Sequence, residues 1–253
     1  MQDPVIEPIP ASPAPQGAAR PPTTARLAAL LEVVLASGFP TQLAIGLLLL
    51  GAGLDVRTPD GRLSMHYVVT LWLLDAVVLV GLIVALLRLR GERLGDLLFG
   101  NRPPLGEALL GLALLPVIYA LVVGALVGVR LLWPNLHNVA VNPFGDLIRS
   151  RADAMVLAVV AVLSGGLKEE MQRAFVLRRF EQHLGGAPVG LVIFSVVFGA
   201  GHFIQGWDVG VVTTLLGLVW GILYLKRRSF AASAVSHSTF NVAQIVQSMV
   251  FGS

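Results

Sequence analysis

The chain has 253 residues, of which 55% are hydrophobic and 13% charged, whereas an ordinary soluble domain carries about 25% charged residues. With 18 Lys and Arg and 15 Asp and Glu in all, several stretches of membrane-spanning length hold no charge, which excludes a water-soluble globule of this size. The net charge of +3 is too small and too dispersed for a nucleic-acid surface, and the absence of Cys excludes disulfides, thiolate metal sites and a cysteine nucleophile.

Residues 1 to 26 hold seven of the fifteen prolines and no apolar run, so a disordered tail is expected there, followed by a membrane domain over 27–253. Apolar windows then follow in order: Val33 to Leu54, Leu63 to Leu87 broken only by Asp75, Ala108 to Val129, Ala154 to Leu167, Gln182 to Trp207, Val209 to Leu225, and Ser229 to Ser253. They are too continuous for the alternating pattern of a membrane β-barrel. The expected fold is all-α, a polytopic membrane helical bundle with about seven transmembrane helices. Pro40 and Pro116 fall inside two windows, where kinks rather than breaks are expected. Placing the tail inside puts 13 of the 18 basic residues on the same side, leaving Arg57, Arg62, Arg130, Arg149 and Arg151 outside. That asymmetry predicts a multi-pass protein of the cell membrane with a cytoplasmic N-terminus.

Polar residues in the last hundred positions carry the chemistry, because an ionisable side chain near the bilayer centre costs ~2.5 to 3.5 kcal/mol on insertion scales and is seldom idle. The first cluster, Lys168-Glu169-Glu170-Met171-Gln172-Arg173, puts two carboxylates and a guanidinium within three or four residues on one helix, so Arg173 can bridge to either Glu. The second is Phe198-Gly199-Ala200-Gly201-His202, where small residues admit a neighbouring helix and His202 faces it. The third is Ser236-His237-Ser238-Thr239-Phe240-Asn241, with His237 and Asn241 one turn apart on a common face. Taken singly, each also suits a plainer role, as a solvated helix end or as interhelical hydrogen-bonding glue. A hairpin turning at Gly185-Gly186 would place Glu169 and His202 at matching height, ~24 Å above the turn. His237 lies only nine residues past Lys226-Arg227-Arg228, ~14 Å up, and needs a tilt or an offset turn to join them.

Two Glu followed by an Arg, then F-x-x-x-H, then H-x-x-x-N, resembles the CPBP family of intramembrane endopeptidases, which includes type II CAAX prenyl proteases and lysostaphin-resistance-like proteins. The likeness covers about residues 152 to 250. The family's first motif is usually E-E-x-x-x-R, and this chain is one residue short, so the motif is aligned on Glu169 rather than on Arg173. The resemblance implies a hydrolase that cuts a peptide bond in or beside the membrane without a serine or cysteine nucleophile. Glu169 would act as general base on water, with Glu170 the reserve candidate and Arg173 orienting the pair. His202 would hold the water, and His237 and Asn241 would donate to the oxyanion.

No cofactor is favoured. Zinc stays open, with His202 and His237 as its ligands, although the H-E-x-x-H helix of many zinc proteases is absent. Partners implied are membrane lipid and a peptide or protein substrate, with or without a lipid tail. The competing readings are a non-catalytic scaffold or immunity-type protein of the same family and a proton-coupled transporter, the latter disfavoured because no internal repeat stands out.

Overall fold

The computed structural model describes residues 21–251 except Asn101. Most of the expected Pro-rich tail therefore lies outside the described residues, and its last part, Thr23 to Arg26, is already helical. Eleven α-helices follow among the described residues, with one isolated antiparallel bridge between Arg57 and Leu63. They are α1 (Thr23–Leu35), α2 (Phe39–Gly51), α3 (Met65–Leu89), α4 (Leu94–Leu98), α5 (Pro104–Ala113), α6 (Leu115–Leu132), α7 (Arg151–Val160), α8 (Glu169–His183), α9 (Ala187–Ala200), α10 (Trp207–Arg227) and α11 (Phe230–Phe251). A π-helical segment, Ala161–Lys168, joins α7 to α8 without a break.

Local chemistry sets the ends of these elements. Ser64 and Ser150 cap α3 and α7, each hydroxyl accepting from a backbone N–H three residues on. Gly38, at φ 84°, separates α1 from α2, which meet at 43°. Pro40 thus follows a break rather than making a kink, because Gly38 adopts a left-handed conformation that a helix cannot continue. At Pro116 the chain passes from α5 to α6 within one 29-residue apolar stretch, Pro104–Leu132, as expected of a proline in a membrane helix. Gly185 and Gly186, both at φ 101°, turn α8 into α9 and make the hairpin foreseen from the sequence.

Among the described residues three stretches are long and apolar enough to cross a membrane, Met65–Leu89, Pro104–Leu132 and Trp207–Arg227, or four if the bent pair α1 and α2 counts as one. The α7–π–α8 rod and α11 do not join them, because the first carries the Glu-Arg cluster and the second is interrupted by His, Asn, Gln and Ser. At 14 residues, α9 is short. Large apolar side chains such as Leu48, Val77, Leu131 and Val192 are exposed on the outer faces of the bundle, the arrangement of a protein whose exterior meets lipid.

Inside, one apolar cluster joins Leu79 and Ile83 of α3 to Phe175 and Leu177 of α8, Phe194 of α9 and Tyr224 of α10. Another gathers Ile118, Val212, Leu216, Trp220 and Phe240 between α6, α10 and α11. At the end of the bundle near the Gly185-Gly186 turn, the buried Arg179 donates to Glu32, Glu92 and Gln182, tying α1 and the α3–α4 loop to α8. Lys168 and Arg173 are buried as well, at 3% and 0% exposure. Neither is a loop cation, so neither adds to the charge asymmetry of the loops.

The α9–α10 contact depends on small residues. A methyl group on Gly199 would meet the side chain of Thr214 and lie 2.5 Å from the Gly210 carbonyl oxygen. Gly199→Ala is therefore expected to lower stability by about 1–3 kcal/mol in detergent melts. Gly124→Ala, where nothing lies within 4 Å of the added methyl, is expected to leave stability unchanged or raise it by about 0.5–1 kcal/mol.

Candidate active site

The three polar clusters read from the sequence meet where the π segment becomes α8. Glycines let α11 come close at this point: Gly166 lies against Ser238, and a methyl on Gly165 would stand 2.5 Å from Asn241 Nδ2. A π segment of this kind widens the helix locally and is often found at functional sites. It delivers Lys168, Glu169 and Glu170 to the space between α3 and α11.

Glu170 is 1% exposed and fully engaged. Arg173 Nε lies 3.3 and 3.1 Å from its two oxygens, and His237 Nδ1 lies 3.0 Å from Oε1. Arg173 also donates from Nη1 to the Gly217 carbonyl on α10 at 2.8 Å. Its guanidinium carbon sits 5.1 Å from the Phe194 ring, 4.9 Å from Phe198 and 5.9 Å from Trp220, an aromatic enclosure suited to a desolvated cation. The spacing alone allows Arg173 to orient both carboxylates. It binds Glu170 alone, one turn away at i,i+3.

Glu169 is different. Its side chain is 21% exposed, with Oε2 3.9 Å from His237 Nε2 and Oε1 3.7 Å from Lys168 Nζ. His237 thus lies between the two carboxylates. A carboxylate only accepts, so the bond to Glu170 puts a proton on Nδ1 and turns Nε2 toward Glu169. The face of the imidazole is covered by Trp220, whose ring is 3.8 Å away and 17° from parallel, while Trp220 Nε1 donates to Ser236 Oγ at 3.2 Å.

His202 follows the last turn of α9 and bonds through Nδ1 to the Phe198 carbonyl at 2.9 Å. That carbonyl can only accept, so Nδ1 carries a proton and Nε2 is the nitrogen left for other partners. The Phe198 ring touches both histidines, with centroids 5.0 Å from His202 and 6.0 Å from His237. No hydrogen bond or ion pair joins His202 to Glu169 among the described residues. Asn241 is part-buried against Gly165 and makes no side-chain hydrogen bond among the described residues. Glu170, Arg173 and His237 are thus gathered into one unit, Glu169 stands at its edge, and His202 and Asn241 flank it. Among the described residues no group of three or more His, Cys, Asp or Glu is arranged to hold a metal ion.

Sequence reasoning missed four contributors. Lys168 Nζ reaches Asp75 Oδ2 at 3.1 Å, and Asp75 accepts from Thr41 Oγ1 at 2.6 Å and from Gln42 Nε2 at 3.2 Å. Asp75 had a visible signal as the charge interrupting an apolar window. Trp220, Thr41 and Gln42 had none, since an aromatic or a small polar residue is ordinary in a membrane helix.

Residues 151–243 match the family described as type II CAAX prenyl endopeptidase, Rce1-like. The match runs from the start of α7 to two residues past Asn241, and so spans the three motifs on which the resemblance was drawn. No curated protein and no solved structure matches the chain. The Rce1-like segment holds Glu169, Glu170, Arg173, His202, His237, Asn241 and Trp220. Asp75, Thr41 and Gln42 come from the helices before it.

The two carboxylates should separate in stability measurements. Glu170→Gln leaves Arg173 buried without its counter-charge and is expected to cost about 3–5 kcal/mol. Glu169→Gln, at a partly open position without a hydrogen bond, is expected to stay within about 0.5 kcal/mol. Denaturant or thermal melts of the purified protein in detergent read both.

Proposed function

We propose that the chain is an intramembrane endopeptidase, in a multi-pass fold of about seven spans with a cytoplasmic N-terminus, that hydrolyses a peptide bond with water activated by Glu169. The observation that carries this reading is the division of labour between neighbouring carboxylates. Both oxygens of Glu170 are occupied by Arg173 and His237, whereas Glu169 is partly open and faces His237 Nε2 across 3.9 Å. A general base needs a free lone pair within reach of its proton. Glu169 presents one at a partly open position, whereas Glu170 is buried with both oxygens already accepting. The match to an endopeptidase family supplies the class of bond and a peptide or protein as substrate.

In the proposed cycle the oxygen of a water molecule attacks the scissile carbonyl carbon while Glu169 takes its proton. The negative charge that forms on the carbonyl oxygen is met by the Asn241 amide and by His237. As a donor His237 has only Nε2 to offer, because Nδ1 is bound to Glu170, so it acts in the protonated form. Glu169 then returns the proton to the nitrogen as the C–N bond breaks, giving a carboxylic acid, which keeps the second proton of the water, and a free amine. His202 Nε2 accepts a hydrogen bond from substrate or water on the other side of Phe198. The proposed chemistry uses these side chains alone, without a metal.

The test is cleavage of a farnesylated CAAX peptide and of the same peptide without its lipid by the purified protein in detergent. Glu169→Gln is expected to abolish cleavage in a folded protein, and His237→Ala and Asn241→Ala to lower kcat by about two to three orders of magnitude with little change in KM. Unchanged rates in all three variants would leave a non-catalytic scaffold as the reading. Inhibition by a chelator, reversed by zinc, would overturn the metal-free mechanism. The ratio of rates on the two peptides shows whether the lipid tail is recognised.

A further inference from the structure

The buried ion pair between Lys168 and Asp75 is not used by the mechanism above. Its members are 3% and 0% exposed, and Asp75 lies in the middle of α3, one of the three apolar spans. A charged pair so placed is expensive to desolvate, and an apolar pair of similar volume would often be no less stable. It is nevertheless fully built. Asp75 Oδ1 is held by Thr41, Oδ2 by Gln42 and Lys168, and the Thr41 hydroxyl also lies 2.9 Å from the Gly38 carbonyl at the break between α1 and α2. The first turn of α2 thus fixes the carboxylate, the carboxylate fixes the ammonium, and the ammonium stands 3.7 Å from Glu169.

Glu169 itself has no hydrogen bond among the described residues, so its placement depends on the groups that flank it. These are Lys168 on one side and the Nε2 of His237 on the other. Asp75 holds the ammonium at hydrogen-bonding distance, nearer than Glu169 does, which orders Lys168 without closing it onto the base. Removing Asp75 would free the ammonium to lock onto Glu169, and removing Lys168 would leave Glu169 without a fixed neighbour on that side.

We propose that Lys168, anchored by Asp75 and Thr41, is a positioning residue for Glu169, so that α2 and α3 complete a site whose other parts come from α8, α9 and α11. This rests on the reading of Glu169 as the base. Misplacement of a reacting group by about 1 Å can cost on the order of 100-fold in rate, which sets the scale of the effect.

The experiment measures kcat and KM for the farnesylated CAAX peptide, with melting temperature in the same detergent, for wild type, Glu169→Gln, the double variant Asp75→Asn/Lys168→Met, and Thr41→Val. The double variant removes both charges together and leaves neither buried alone. It is expected to melt near the wild type, with kcat reduced about 10- to 100-fold and KM within about twofold. Thr41→Val keeps both charges and loosens only the anchor, and is expected to lower kcat about three- to tenfold at unchanged KM, so the proposal stays testable if the double variant does not fold. Full kcat in either folded variant, or a change confined to KM, overturns the positioning role while leaving Glu169 as the base. A wild type that cleaves no peptide, or a Glu169→Gln variant that cleaves normally, overturns the function and the positioning role together.

Discussion

The buried carboxylate of Glu170 organises the site. It accepts from Arg173 on its own helix and from His237, 67 residues later on α11, and Arg173 passes the connection to α10 through the Gly217 carbonyl. Three helices are thereby tied by one ion pair and its hydrogen bonds in a place where none of these groups could stand alone. An unpaired charge there would cost several kcal/mol, so each member holds the others in place. His237 cannot rotate without releasing Glu170, and Trp220 stacked on its face blocks the same motion. A fixed tautomer and ring plane follow from packing and hydrogen bonding alone.

Around that centre the fold meets two opposed demands. Lipid requires helices with apolar exteriors, met by α3, the α5–α6 stretch and α10. The proposed hydrolysis requires carboxylate, imidazole and amide groups between those helices. The chain separates the two by putting its polar residues on α8, at the end of α9 and on the inner face of α11, and by surrounding Arg173 with Phe194, Phe198 and Trp220. The π segment and its glycines allow the backbones of α7, α8 and α11 to approach where the polar groups must meet.

The helical class, the α8–α9 hairpin and the three polar clusters were legible because each depends on local sequence: uninterrupted apolar runs, a Gly-Gly turn, and motif spacing along one helix. The offset of His237 was resolved by tertiary packing, which no count of residues from a turn supplies. Partnership was the least legible feature. Arg173 stands within reach of both Glu169 and Glu170, and only the placement of α11 and α10 directs it to Glu170. Asp75 advertised itself as a charge in an apolar window, but its partner Lys168 lies 93 positions away and looked like a loop cation. Thr41, Gln42 and Trp220 gave no signal, since their meaning comes wholly from what they touch.

The claim that Glu170 and His237 form one unit is tested most directly by a double-mutant cycle on stability, with Glu170→Gln, His237→Ala and the pair compared in the same detergent. A direct bond between them predicts a coupling of about 1–3 kcal/mol, the double variant losing less than the two single losses combined. Additive losses would mean that the third motif does not meet the first, and would contradict the account.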